Sequence, residues 1–206
     1  MAPKIVNQQA VDVAILAQRM VSQYFAHHVA VYVARDPRAE TLRPQIESGQ
    51  VVPIVKIPHD DGNVMVMWFD HFLQEGRKPD TREAFDKVWL VGALLTVGDA
   101  LAAKKNKYFG HAPEAEIIRH LRNGIAHGNR FTFYPWVKDE ATGRLKHPAN
   151  ISRYAAQQAM PVRQVDTDLE GTEVLFSWGG GPAAIIDCLT VLSIHLWRIG
   201  HGLPTP

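Results

Sequence analysis

The strongest constraint on this chain is a repeated helix-period apolar pattern, cut at intervals by proline and glycine. From about Gln9 to Ala34, Val13, Leu16, Ala17, Met20, Tyr24 and Val31 recur along one helix face, and Asp36-Pro37 closes the segment. A second segment opens at Asp80 or Thr81, with Glu83 as capping-box partner of Asp80, and runs to about Lys105. It is expected to bury Phe85, Val88, Leu95, Val97 and Leu101. A third starts at Ala112-Pro113-Glu114-Ala115-Glu116, with proline at the first helical position and acids in the first turn. It continues through Ile117, Ile118, Leu121, Ile125 and Ala126, with Gly128-Asn129 as its cap. Gly179-Gly180-Gly181-Pro182 then breaks the chain before a last apolar helix from Ala183 to Ile199. The expected class is mainly α, a helical bundle forming one domain over residues 1–206.

Between the third and last helices the pattern changes. Phe131 to Val137 alternates aromatic and polar residues, Asp139 to Gly143 is turn-like, and Thr172 to Trp178 reads as a strand. A small, partly β insertion of one or two hairpins is therefore expected at about 131–178, before the last helix. Upstream, Val51 to Ile57 carries two prolines and reads as extended or irregular. Asp60-Asp61-Gly62-Asn63 is a turn, and Val64 to Gln74 reads as a helix with a strand as the open alternative.

Composition excludes several classes. The 206 residues are 46% hydrophobic and 21% charged, a globular balance. A net charge of +1 rules out holding nucleic acid by bulk charge alone, though a local basic patch is compatible with it. One cysteine, Cys188, excludes an internal disulfide framework and a cysteine-rich zinc site. The apolar runs Val88 to Val97 and Ala183 to Ile199 are short of the roughly 20 uninterrupted apolar residues of a spanning helix. The start has no secretory pattern, so the expectation is a cytoplasmic protein without a membrane partner.

The chemistry concentrates in Arg119-His120-Leu121-Arg122-Asn123-Gly124-Ile125-Ala126-His127-Gly128-Asn129-Arg130. On a helix Asn123 and His127 are four apart and share a face, with His120 on the same stripe. Arg122 lies further round, and its long side chain can bend toward that stripe. Histidine moves a proton near neutral pH. Arginine presents a planar fork that matches phosphate oxygens. These are the groups phosphodiester cleavage needs, and in RNA the 2′-OH is a built-in nucleophile. No carboxylate cluster of the two-metal nuclease kind stands near the segment, so no cofactor or metal is expected. From Lys104 to Arg130 there are six Lys/Arg against two acids, which leaves the rest of the chain net negative. Lys104, Lys105, Arg119, His120 and Arg130 are accordingly weaker candidates for holding RNA.

The run Leu121-Arg122-Asn123-Gly124-Ile125-Ala126-His127-Gly128 resembles the signature of the HEPN superfamily (higher eukaryotes and prokaryotes nucleotide-binding). That signature is an arginine, a polar residue often asparagine, and a histidine after four to six intervening residues. The resemblance implies an up-and-down α-helical bundle with the signature on a late helix. It implies Arg122 and His127 as a catalytic pair, with Asn123 as polar helper. Many members are metal-independent endoribonucleases that dimerise with two motifs lining one cleft, and many are toxins or defence effectors encoded beside an antitoxin. The expected partners are thus RNA, a second copy and an antitoxin.

Blander readings compete with these. Arg122 and His127 could be a solvated cation and a dipole partner at a helix C-terminus. Tyr134 and Trp136 could stack on bases or simply pack. The spacing of His111, His120 and His127 is poor for zinc. A non-catalytic module that binds RNA, a nucleotide or a partner protein is the alternative to the nuclease.

Overall fold

The computed structural model describes residues 4–44, 54–103 and 111–206. The chain is mainly α, with helices α1 (Gln8–Arg35), α2 (Phe69–Arg77), α3 (Thr81–Ala102), α4 (Pro113–Ala126), α5 (Ser152–Ala155) and α6 (Pro182–Gly200). The antiparallel hairpin of β1 (Ile54–Pro58) and β2 (Val64–Trp68) lies between α1 and α2. A two-residue antiparallel pair, β3 (Ala149–Asn150) with β4 (Gln164–Val165), precedes α6. The chain divides into two compact units, residues 1–23 with 87–206, and residues 24–86, with the divisions falling inside α1 and α3.

The first unit is a helical bundle. Ala10, Ala14, Ala17 and Val21 of α1, Leu90, Leu94, Val97 and Leu101 of α3, Ile117, Ile118 and Leu121 of α4, and Ile185, Leu189, Leu192 and Leu196 of α6 are buried. Each such Val, Leu or Ile side chain removed from water contributes about 1.5–3 kcal/mol. Of the α3 positions expected inside, Val97 and Leu101 are buried, Phe85 and Leu95 are half-buried, and Val88 faces solvent because it lies off the stripe of Leu90, Leu94, Val97 and Leu101. Polar contacts register the helices. The Trp89 indole N–H of α3 donates to the Met20 carbonyl of α1 at 3.3 Å, and Ser193 of α6 donates to Gln18 Oε1 of α1 at 3.2 Å. α4 packs on α6 and on β3. Pro113 and Pro182 occupy the first turns of α4 and α6, where a missing N–H costs nothing.

The segment 131–178 is mostly loop. Phe131 and Phe133 turn inward, Tyr134 lies between core and solvent, and Pro135–Val137 makes a short 3-10 turn. The expected strand at Thr172 to Trp178 is not one. It is joined to the chain at a single bridge, Arg130 with Glu173. That bridge is closed by the Phe131 amide on the Thr172 carbonyl and the Val174 amide on the Asn129 carbonyl, and beyond it the Leu175 amide goes to the Asn129 side chain. A bond to the Asn129 side chain thus takes the place of the next rung of a ladder.

In the second unit, Asp60-Asp61-Gly62 forms the hairpin turn, with Asp61 accepting from the Asn63 amide at 2.9 Å and Gly62 at φ 86°. Val64–Trp68 is strand, so the helix read over Val64 to Gln74 begins only at Phe69. α2 is held to α1 by Arg77, whose Nε donates to the Ala34 carbonyl at 2.8 Å. His28 Nε2 lies 3.0 Å from Asp86 Oδ1, and His27 stacks on Phe85.

Among the described residues one helix, Pro182–Gly200, is long and apolar enough to cross a membrane, and most of it is buried inside the protein. Its Asp187 is paired with Arg163 at 2.9 Å. This is how the core helix of a bundle is built.

Candidate functional site

The last turn of α4 carries the signature. Leu121 is fully buried and anchors the helix, Arg122 and Asn123 are half-buried, and His127 is exposed. Arg122 reaches across to α3, where its Nε and Nη2 donate to Asp99 Oδ1 at 3.0 and 2.7 Å. Its Nη1 lies 3.5 Å from Asn123 Oδ1. The His127 amide donates to the Asn123 carbonyl at 3.0 Å. Asn123 therefore touches Arg122 with its side chain and carries His127 on its backbone.

Close approach makes this geometry possible. A Cβ on Gly98 of α3 would stand 2.5 Å from Arg122 Cγ and 2.8 Å from its Cβ. The arginine stem thus rests on bare backbone, one residue before the carboxylate that receives its guanidinium. On the other side of the motif, a Cβ on Gly124 would stand 2.6 Å from Val174 Cγ2. The Arg130 amide also returns to the Gly124 carbonyl at 3.1 Å. α4 ends as expected: His127 leaves helical geometry at φ −105°, ψ 36°, and Gly128 and Asn129 follow at φ 86° and 63°. Asn129 then bonds Glu173 and the Leu175 amide, fixing the return loop.

That loop brings Tyr134 to His127. The Tyr134 hydroxyl lies 3.4 Å from His127 Nε2, and the rings meet edge to face at 78° with centroids 5.9 Å apart. Trp136 stacks on Tyr134, 4.4 Å away and within 4° of parallel.

The weaker candidates are distributed differently. His120 is buried against the Phe133 ring, and loss of hydration pushes its pKa below the usual histidine value. Such an imidazole is neutral at pH 7. Arg119 donates to the buried carboxylate of Glu116, which also takes the His111 ring at 2.7 Å. Arg130 is exposed and donates to the Gly171 carbonyl at 2.7 Å. Lys104 and Lys105 lie outside the described residues. Among the described residues, no three His, Cys, Asp or Glu side chains gather where a metal ion could be held. Cys188 is fully buried, and burial raises its thiol pKa, which leaves it an inert packing group.

Two participants were missed in the sequence, Asp99 and Gly98. A glycine inside an apolar helix is a marker of close packing, and Val97-Gly98-Asp99 is the place where it could have been seen. The partner across 23 residues of chain could not.

No family model, curated protein or solved structure matches the chain.

Proposed function

We propose that this chain is a metal-independent endoribonuclease of the HEPN type, acting in the cytoplasm as a toxin or defence effector. The observation that carries the reading is Asn123, in contact with Arg122 through its side chain and joined to exposed His127 through its backbone. An imidazole and a guanidinium are thereby presented from one helix end. In the proposed reaction His127 accepts the 2′-OH proton. The 2′ oxygen then attacks the phosphorus and the 5′ oxygen leaves, taking a proton from a general acid. The products are a 2′,3′-cyclic phosphate and a 5′-hydroxyl. Arg122 balances the charge that builds on the phosphoryl oxygens. Asp99 holds Arg122 in the absence of substrate. A homodimer would bring a second His127 to serve as the acid, and an antitoxin protein would keep the pair inactive.

Labelled single-stranded RNA incubated with pure protein and chelator tests this. Cleavage with cyclic-phosphate ends, lost in His127→Ala and in Arg122→Ala, is the expected result. Equal cutting by parent and both variants, or none by the parent, would falsify it.

The non-catalytic alternative has one observation on its side. The Arg122 guanidinium already has two donors on Asp99, as a structural arginine would. Retained RNA binding without cleavage by the parent protein would select that reading.

A further inference from the structure

We propose that the outer face of Trp136, backed by Tyr134, is a stacking platform for a base of single-stranded RNA beside the scissile bond. This rests on the nuclease reading of the His127 site and adds its substrate class: unpaired RNA, read by π-stacking rather than by base sequence.

The argument begins with exposure. Trp136 is 66% exposed, so most of its ring does no packing. A lone exposed aromatic is ordinary on a protein surface. This one differs in three respects. Its indole is parallel to the Tyr134 ring and backed by it, so one flat face is covered and the opposite face points outward. Tyr134 in turn touches His127 with its hydroxyl and its ring edge. A base on the outer face of Trp136 would therefore sit two rings from the proposed proton-transfer group, within reach of a nucleotide flanking the cut.

The platform is also fixed before any ligand arrives. Pro135 locks the backbone between the two aromatics. The Val137 amide donates to the Tyr134 carbonyl at 3.1 Å and the Lys138 amide to the Pro135 carbonyl at 3.1 Å. The Lys146 amide ties the Val137 carbonyl at 2.9 Å, and the Lys138 ammonium is held by Glu170 at 3.0 Å. A pre-ordered aromatic surface loses little entropy when it binds. Every base has a π-face, so such a surface accepts any base that is free to unstack. Duplex RNA keeps its bases stacked and cannot use it.

The test uses the full chain. In the His127→Ala background, which removes the proposed chemistry, a fluorescent single-stranded oligoribonucleotide is titrated alongside the same sequence as a duplex. Trp136→Ala is expected to weaken single-strand binding about tenfold, the scale of one lost stack. Trp136→Phe should restore most of it, and duplex binding should not change. Trp136→Leu keeps an apolar side chain without a ring and gives the same reading if the alanine variant folds poorly. With His127 intact, the Trp136 defect should appear in KM more than in kcat. Unchanged single-strand binding in both ring-less variants overturns the platform, and so does a phenylalanine variant as weak as alanine. The two readings fail separately. Trp136-dependent binding by a parent that never cuts RNA leaves the platform and removes the nuclease. His127-dependent cutting that ignores Trp136 does the reverse.

Discussion

Arg122 of α4 places two of its nitrogens on one oxygen of Asp99 in α3, at 3.0 and 2.7 Å. The pair is open to water, with the arginine side chain 33% and the aspartate 61% exposed. A pair this exposed contributes about 0–1 kcal/mol to stability. Its consequence is positional: the guanidinium is held in one orientation at the motif. Asp99→Asn is expected to leave the melting temperature nearly unchanged and to lower RNA cleavage several-fold. Thermal melts run beside a cleavage assay check this, and full activity in Asp99→Asn would remove the positioning role.

Gly98 and Gly92, six residues apart in α3, make a matched pair. A methyl at Gly92 meets nothing within 4 Å, whereas at Gly98 it would stand 2.5 Å from Arg122 Cγ. Gly→Ala in an open helix position gains about 0.5–1 kcal/mol. Gly92→Ala should therefore stabilise the protein by about that much. Gly98→Ala should lose that gain to overpacking, which costs about 1–3 kcal/mol, and should displace Arg122. Denaturant unfolding of both variants gives the comparison. A Gly98→Ala protein as stable and active as Gly92→Ala would mean that the Arg122 stem has room to move.

Glu114 of α4 is completely buried, and its carboxylate is gripped by two nitrogens of Arg153, with His195 Nδ1 3.9 Å away. Breaking a buried pair from one side leaves an uncompensated charge, at a cost of about 3–5 kcal/mol. Arg153 is itself a third exposed, so Arg153→Ala is expected near the lower end. The double variant Arg153→Met with Glu114→Leu removes both charges and should recover much of the loss. Chemical denaturation of the single and double variants measures the coupling.

The division between what could be read in the sequence and what could not follows the range of the interactions. α1, α3, α4 and α6 are long enough for their apolar period to dominate, and prolines and glycines mark their ends. The motif is legible for the same reason: Arg122, Asn123 and His127 lie within one and a half turns of one helix. β2 was harder. Val64-Met65-Val66-Met67-Trp68 is apolar at every position, and the hairpin is largely exposed, so no alternation marked it as a strand. Thr172 to Trp178 has strand composition, but its amides are taken by Asn129, a residue 45 positions before Val174. Asp99 belongs to the same group: only the packing of α3 on α4 decides which carboxylate meets Arg122.

Two buried histidines each contribute a pH-dependent term of the same sign to the stability of the fold. His120 lies against Phe133, and His195 lies against Tyr154, whose hydroxyl is 2.9 Å from its Nδ1. Burial lowers both pKa values below the usual 6.5, against the opposing pull of Glu116 and Glu114 respectively. In the unfolded chain each takes up a proton as pH falls through about 6.5, while in the folded chain each stays neutral until a lower pH. Through these two groups the unfolded state binds more protons in that interval, and their contribution to stability falls as pH drops from about 7 toward 5. Above the unfolded pKa the term vanishes. Replacing His120 with leucine keeps an apolar side chain against Phe133 and removes one titrating group. His120→Leu is expected to show a shallower loss of melting temperature between about pH 7 and pH 5 than the parent. An identical slope in the two proteins would show that His120 takes up its proton equally in the folded and unfolded states.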